Sequence, residues 1–232
     1  MTDIHPSWFN QPTGIFPLPN VVLFPGVILP LQIFEPRYRA MIEDALAGEA
    51  IIATALLRPG YEALYFTNHA EIYPVVGVGQ IREHVKSMDG RYFISLIGMC
   101  RARIMTEYNE GEYRTALLEP ILQKDSGIDK DGEFAARLSF RKLLNASVFD
   151  NIERINTCRK LLNNGISLSE TIDKIASALL PAGSIQIQQC MLEEADVLRR
   201  AKILLNELHI VRQTLELIQK NLNNWPHLGS TN

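Results

Sequence analysis

Cysteine is scarce in this sequence, and its scarcity excludes two classes of protein. Cys100, Cys158 and Cys190 are an odd number of thiols at wide spacing, with no CxxC pair and no nearby pair of histidines. A disulfide framework or a zinc site needs paired or clustered ligands, so the sequence predicts neither. Free thiols are typical of a reducing compartment, and we therefore expect a cytoplasmic protein without a bound metal.

Excess charge and long apolar runs are also lacking. The 232 residues carry a formal charge of −3, which argues against a wholesale nucleic-acid binder but leaves local basic patches open. The N-terminus has no basic segment followed by an apolar one, so no signal peptide is predicted. The most apolar stretch is broken by Pro17, Pro19, Pro25, Pro30 and Pro36. A membrane span needs about 20 uninterrupted apolar residues, so we expect no membrane association.

Signatures of catalysis and cofactor binding are missing as well. The sequence contains no GxxxxGK[ST] phosphate loop, no GxSxG nucleophile elbow and no HExxH zinc motif. The run GVGQIR at residues 77–82 begins like a dinucleotide fingerprint but lacks the third glycine and lies within a predicted strand. Close packing of strands explains these glycines better. We predict a protein that is not an enzyme and binds no cofactor.

The first half of the chain has the signals of a β domain. Apolar runs and the Asp89-Gly90 hairpin signal are typical of short strands separated by turns. One early helix begins at Glu35-Pro36 and stops at Gly48. The predicted strands lie at 27–31, 51–57, 75–85, 91–97, 101–108 and 113–118. About six strands and one helix predict a curled sheet or small barrel, and we assign residues 12–122 to it.

The second half has helical signals throughout. A polar, glycine-containing linker is predicted at 123–133, followed by a helical bundle at 134–224. Ser167 and Glu170 form a capping box for one of its helices. The predicted helices lie at 134–148, 152–163, from 168 to Pro181, at 185–194 and at 197–222. The fold class is therefore α+β, with one long C-terminal helix.

The long helix at 197–222 carries an unbroken apolar stripe, spaced by four and three residues in turn. The stripe consists of Val197, Ala201, Leu204, Leu208, Val211, Leu215, Ile218 and Leu222. Burial of each large aliphatic side chain is worth roughly 1.5–3 kcal/mol, so something must cover this face. Packing within the bundle and homodimer formation through this helix both remain open.

Several arginines of the β domain could form a basic patch. Because alternate residues of a strand share a face, Arg101 and Arg103 are expected on the same side. The candidate patch consists of Arg37, Arg39, Arg82, Arg101 and Arg103. Such a patch could contact RNA phosphate or an acidic partner, and scattered solubilising charge is the alternative.

The sequence resembles a known family over about residues 15–217. IFPLPNVVLFPGVILPLQIFEPRYRAMIEDAL at 15–46 and VVGVGQIREHVKSMDGRYFISLIGMCRARI at 75–104 are similar to the N-terminal substrate-recognition domain of Lon ATP-dependent proteases. IDKIASALL and QQCMLEEADVLRRAKILLNEL are similar to the family's helical segment, although Ile187-Gln188 stands where the family usually has Lys-Gln. The resemblance implies a PUA-like β domain followed by helices. It implies a stand-alone member without the ATPase and peptidase domains.

The function implied by this resemblance is recognition of unfolded or partly folded polypeptides, with a protease or chaperone system as the implied partner. RNA binding through the PUA-like fold is the alternative. Aromatic side chains are favoured interface anchors, and the long loop at 58–74 offers Tyr61, Tyr65, Phe66 and Tyr73. These four are the candidate peptide-binding residues. Phe24 and its neighbours are interpreted as core and corner in preference to a binding lip.

Overall fold

The structure, a computed structural model, describes residues 7–123, 130–150 and 152–223. The β half contains β1 (Thr13–Leu18), β2 (Ile28–Ile33), α1 (Pro36–Ala47), β3 (Ile51–Leu56), β4 (Val75–Lys86), β5 (Tyr92–Tyr108) and β6 (Thr115–Pro120). The helical half contains α2 (Lys130–Leu144), α3 (Glu153–Leu161), α4 (Leu168–Leu179), α5 (Ile185–Glu193) and α6 (Val197–Asn223). The predicted α+β class is confirmed. No helix within the described residues combines the length and apolar character needed to cross a membrane.

The sheet closes into a small barrel around β5. One edge of β5 pairs with β4, while its other edge pairs first with β2 and then with β6. Because β6 also pairs with β1, and β1 runs parallel to β3, the order β1-β3-β4-β5-β6 returns to its start. The register of β4 against β5 shifts at Val78/Gly79 and Ile81/Glu83, and such bulges bend strands as closure requires. The strand β2 extends the sheet beyond the barrel.

Two strand predictions for this half were wrong. The predicted strands 91–97 and 101–108 are one continuous strand, β5. The strand continues through Gly98. Glycine is needed at this position because the backbone of Phe24 crosses there and leaves no room for a side chain. The strand β1 was not predicted, although Ile15 and Phe16 are buried in it.

The turn at Phe24-Pro25-Gly26 leads into β2 and is held against β5. Gly26 has a φ of 73°, and its backbone N–H donates to the Gly98 carbonyl at 2.8 Å. The Gly98 N–H donates in return to the Val27 carbonyl at 2.9 Å. Phe24 is fully buried, which confirms its interpretation as core and corner.

The helical half follows the predicted caps more closely than the predicted boundaries. Ser167 Oγ accepts a hydrogen bond from the Glu170 backbone N–H at 3.1 Å and caps α4. The helix α2 begins at Lys130 and not at 134, so the C-terminal part of the predicted linker is helical. Residues 124–129 of that linker, and the predicted bundle end at 224, lie outside the described residues.

The stripe on α6 is covered along only part of its length. Val197, Ala201, Leu204 and Leu208 are buried in the helical core, while Ile218 is 48% exposed. Packing within the bundle therefore accounts for the N-terminal half of the stripe. Homodimer formation through the rest of the helix stays a proposal.

The two halves share one hydrophobic core and one buried ion cluster. Val22, Phe24, Leu56 and Val75 of the β half lie in the same apolar cluster as the buried helical residues. Across this junction, an Nη2 of Arg101 on β5 lies 2.6 Å from Oδ1 of Asp173 on α4. Arg200 on α6 brings its Nε within 3.8 Å of the same oxygen. The junction is thus a continuous interior.

Candidate functional site

The loop at 58–74 is fastened to the start of α1 by Arg37. The Arg37 guanidinium donates from Nη2 to the Tyr65 carbonyl and from Nη1 to the Thr67 carbonyl, each at 2.9 Å. Its Nε donates to Glu35 Oε2 at 3.0 Å, and the group stacks on the Tyr38 ring 4.4 Å from the centroid. Proline at the first helical position and Glu35 before it place these groups at the helix start. Arg37 therefore anchors the loop to the start of α1.

The far end of the same loop is fastened to the β5–β6 turn. The Asn68 side chain donates to the Gly111 carbonyl at 2.9 Å. Arg114, only 3% exposed, donates from Nε to the Asn68 carbonyl at 2.6 Å and from Nη2 to the Ala70 carbonyl. Burial lowers the pKa of Arg114, while nearby Glu107 raises it. Sequence reasoning missed Arg114, because nothing local marks it as buried.

Three of the four candidate aromatic residues form one cluster on this loop. The ring centroids of Tyr61 and Tyr65 are 5.7 Å apart, and those of Tyr65 and Phe66 are 5.1 Å apart. Phe66 is 78% exposed and Leu64 is 44% exposed. We call Tyr61, Leu64, Tyr65 and Phe66 the aromatic surface. Phe34, which precedes α1, is a further large exposed apolar side chain at 60%.

Tyr73 lies apart from the aromatic surface. Its backbone N–H donates to the Leu56 carbonyl at 2.9 Å, and its side chain packs against the core shared with the helices. The Arg58 guanidinium lies 4.9 Å from its ring centroid. The structure therefore assigns Tyr73 to the junction and does not bring it to the other three aromatics.

The five arginines of the candidate basic patch do not form one exposed face. Arg82 and Arg103 are exposed, Arg39 is half-buried, and Arg37 is engaged with the loop. Arg101 and Arg103 were expected on the same side of the strand, and the structure shows that the two side chains differ in exposure. Helix α4 covers that face at Arg101, which is 5% exposed and paired with Asp173.

The chemistry of the thiols offers little for catalysis. Burial raises the pKa of Cys158 and of Cys100 to about 11, which keeps both thiols protonated near neutral pH. In the part of the chain that the structure describes, no group of three or more His, Cys, Asp and Glu side chains is arranged to hold a metal ion.

A concave surface lies between the β half and the helices, away from the 58–74 loop. This groove of about 470 Å³ is lined by Val27, Ile28, Leu161 and Ala178 among others, with Arg154 and Lys174 also contributing. Lys174 is paired with Glu170 at 2.6 Å. Among the described residues, no aromatic side chain lines the groove, whereas three cluster on the loop, so the groove offers fewer of the residue types favoured as interface anchors.

The comparison with protein families decides what kind of domain carries these features. A family model described as the ATP-dependent protease La (LON) substrate-binding domain matches residues 14–209. The chain belongs to the LON substrate-binding domain family. The match spans both the barrel and the helices, the two halves that share one hydrophobic core.

Curated relatives of this LON domain are much longer proteins. Lon protease 2 of Myxococcus xanthus is 27% identical over 90% of this chain and 25% of that protein. Lon protease of Anaeromyxobacter dehalogenans is 26% identical over 89% of this chain and 24% of that protein. The chain thus spans about a quarter of the length of these relatives.

Solved structures share the fold of this LON domain. The N-terminal domain of a Lon protease of the Mycobacterium avium complex superposes with a TM-score of 0.64 at 17% identity, over 86% of this chain and 98% of that one. A Lon N-terminal domain protein from Xanthomonas campestris gives 0.59 at 21% identity, over 84% of this chain and 98% of that one. At these identities the likeness supports the fold alone.

Proposed function

We propose that this LON domain is a substrate-recognition module that binds exposed apolar segments of unfolded or partly folded polypeptides, without itself catalysing a reaction. The observation that carries the proposal is the aromatic surface, on which Phe66 is 78% exposed. Contiguous apolar side chains exposed to water on a folded domain are a common mark of a protein-binding site. Membership of the substrate-binding family supports the same function.

The hydrogen bonds that anchor the 58–74 loop favour binding at the aromatic surface. Arg37 and Arg114 fix the loop through its own carbonyl groups, so the aromatic side chains are presented by an ordered backbone. A surface ordered before binding loses less conformational entropy when a partner docks. Tyrosine and phenylalanine also offer a large contact area with few rotatable bonds.

The partner system is a further part of the proposal. The relatives are named Lon proteases and are about four times the length of this chain, so recognition on a domain of this kind can be coupled to a protease or chaperone system. We propose that this chain captures clients for such a system in the cytoplasm. RNA binding is disfavoured, because Arg101 is buried and Arg37 is committed to the loop. The exposed distal part of α6 supports a separate proposal of homodimer formation.

The aromatic surface is testable by substitution. Serine at both Tyr61 and Phe66 is expected to weaken binding of fluorescently labelled, reduced and carboxymethylated casein by at least about tenfold, since aromatic anchors carry a large share of interface free energy. Fluorescence anisotropy at rising protein concentration measures the change. Phe134→Ser is the matched control, because Phe134 is 63% exposed but lies on α2.

Two results would count against this proposal. One is an unchanged affinity in the Tyr61→Ser/Phe66→Ser variant while Phe134→Ser loses binding. The other is the absence of casein binding by the unmodified protein at tens of micromolar. A labelled RNA of mixed sequence is titrated in parallel, and salt-sensitive RNA binding in place of casein binding would favour the alternative function.

A further inference from the structure

The strand β2 has one edge that carries no partner strand. Its residues Ile28–Ile33 pair with β5 alone, and no other strand of the described residues lies along the opposite edge. Open edges are templates for another strand, and proteins normally protect them with charged side chains or proline. The sequence of β2, ILPLQI, contains no charged residue, and Pro30 is its one residue of either kind. The backbone of this edge is therefore available to an added strand.

The hydrogen bonds to β5 determine which backbone groups of β2 face the open edge. The Val27 carbonyl accepts from the Gly98 N–H at 2.9 Å, so it faces β5. Antiparallel ladders alternate residue by residue, so the backbone groups of Ile28, Pro30 and Gln32 face away from β5. Proline has no N–H to donate, and edge strands tolerate it where that N–H would face solvent. The position of Pro30 therefore agrees with this assignment.

An exposed apolar face of the sheet borders this edge. Phe93 on β5 lies opposite Gln32 on β2, and Val85 on β4 lies opposite Phe93. Directly opposite residues share a face, and so do residues four apart on one strand, which adds Ile28. The side chains of Ile28, Phe93 and Val85 are all exposed. An added strand would place every second side chain beside this face.

Pro30 decides between a second copy of this chain and a different polypeptide as the added strand. In a symmetric pair of β2 strands centred on Pro30, two prolines would face each other and neither carbonyl would find a donor. A strand without proline would donate to the Pro30 carbonyl and exchange hydrogen bonds with Ile28 and Gln32 on either side. The edge is therefore better matched to a different polypeptide than to itself.

The C-terminal end of β2 leads to the aromatic surface. Glu35 follows the last residue of β2 by two positions and accepts from Arg37 Nε at 3.0 Å, while the same guanidinium donates to the Tyr65 carbonyl. The six residues of β2 span about 20 Å. An extended segment that pairs with β2 would therefore continue toward the aromatic surface.

We propose that β2 binds an extended, proline-free segment of a client polypeptide as an added strand, with alternate apolar side chains of that segment on the exposed face of the sheet. The proposal rests on the proposed function, because it names the conformation in which the client binds. Main-chain hydrogen bonds give affinity without demanding a particular sequence, and the exposed face favours apolar residues at every second position. Both properties suit a domain that recognises varied unfolded chains.

N-methylation of the client backbone tests this proposal, because each methyl group removes one amide donor. The probe is a fluorescein-labelled seven-residue peptide in which different apolar residues alternate with serine and threonine, so that one register is favoured. Methylation at alternate amides is expected to weaken binding at least about fivefold, and methylation at the intervening amides less than about twofold. Fluorescence anisotropy measures the affinities.

Gln32→Pro removes the corresponding donor from the protein. Because the Gln32 N–H faces away from β5, the pairing of β2 with β5 is expected to survive, and the peptide is expected to bind at least about fivefold more weakly. Gln32→Thr is the matched control, since it changes the side chain but keeps the N–H, and its affinity is expected to stay within about twofold. Circular dichroism shows whether each variant is folded. If Gln32→Pro is unfolded, the methylated peptides alone decide.

The outcomes separate this proposal from the one it rests on. Equal effects of methylation at all amides, or casein binding without peptide binding, would overturn strand addition and leave the aromatic surface standing. A dimer of the unmodified protein that Gln32→Pro abolishes, seen by analytical ultracentrifugation, would overturn it in favour of a second copy on this edge. Failure of both the peptide and casein to bind would overturn the proposed function and this proposal together.

Discussion

Replacement of Asp173 with alanine is expected to lower the free energy of unfolding by about 3–5 kcal/mol. Asp173 is 1% exposed and faces two buried arginines, Arg101 at 2.6 Å and Arg200 at 3.8 Å. Without the carboxylate, two buried guanidinium groups from β5 and α6 would lose the negative charge that both of them face at this junction. A buried charge that loses its partner is among the costliest defects in a folded protein.

Urea denaturation followed by circular dichroism measures this effect. Glu170→Gln is the control on the same helix, because it weakens the more exposed Lys174–Glu170 pair and is expected to cost about 1 kcal/mol or less. A loss below about 1 kcal/mol for Asp173→Ala would contradict the account, since it would mean that the junction reorganises to hydrate both arginines.

Replacement of Gly77 with alanine is expected to destabilise the barrel by about 3 kcal/mol or more, at the upper end of what overpacking costs. A Cβ built at Gly77 would lie 2.1 Å from the backbone oxygen of Leu23. Because that oxygen belongs to the main chain, a rotamer change cannot relieve the clash. The segment leading to the Phe24-Pro25-Gly26 corner would have to move away from β4.

Gly183→Ala is the matched control, because no heavy atom lies within 4 Å of a Cβ at that position. Its effect is expected to be about 1 kcal/mol or less in either direction. Both variants are measured by urea denaturation. A Gly77→Ala protein as stable as the unmodified one would show that Leu23 does not pack on β4 as described.

Local sequence signals predicted most of the secondary structure. The uniformly buried β3 matches the continuous apolar run at 51–57, and the Ser167 cap formed where Ser-x-x-Glu predicted it. These features depend on neighbours close in the chain, so their physics is readable from short windows. The interpretation of Gly77 as a site of close packing also agrees with the structure.

Features that depend on distant residues were beyond such reasoning. Arg101 looked like half of a basic face because its partner, Asp173, is 72 residues away in the chain. The continuity of β5 through Gly98 depends on the crossing of the Phe24 backbone. The burial of Arg114 arises where a loop and a hairpin meet, which no single motif encodes.

The site itself was only partly predictable. Aromatic composition was enough to single out the loop at 58–74, and the structure groups Tyr61, Tyr65 and Phe66 while setting Tyr73 apart. Period-two spacing predicts which residues of a strand share a face, but it does not predict which element covers that face. The burial of Arg101 under α4 and the anchoring of the 58–74 loop by Arg37 were therefore visible only in the structure.

Hydrogen–deuterium exchange of this LON domain, with and without saturating reduced and carboxymethylated casein, tests the central claim most directly. We predict slower amide exchange within residues 61–73 and 107–114, with little change at residues 154–161 of the groove or along the exposed end of α6. Protection confined to that groove or to α6, with none on the loop, would contradict the assignment of the aromatic surface as the site of recognition.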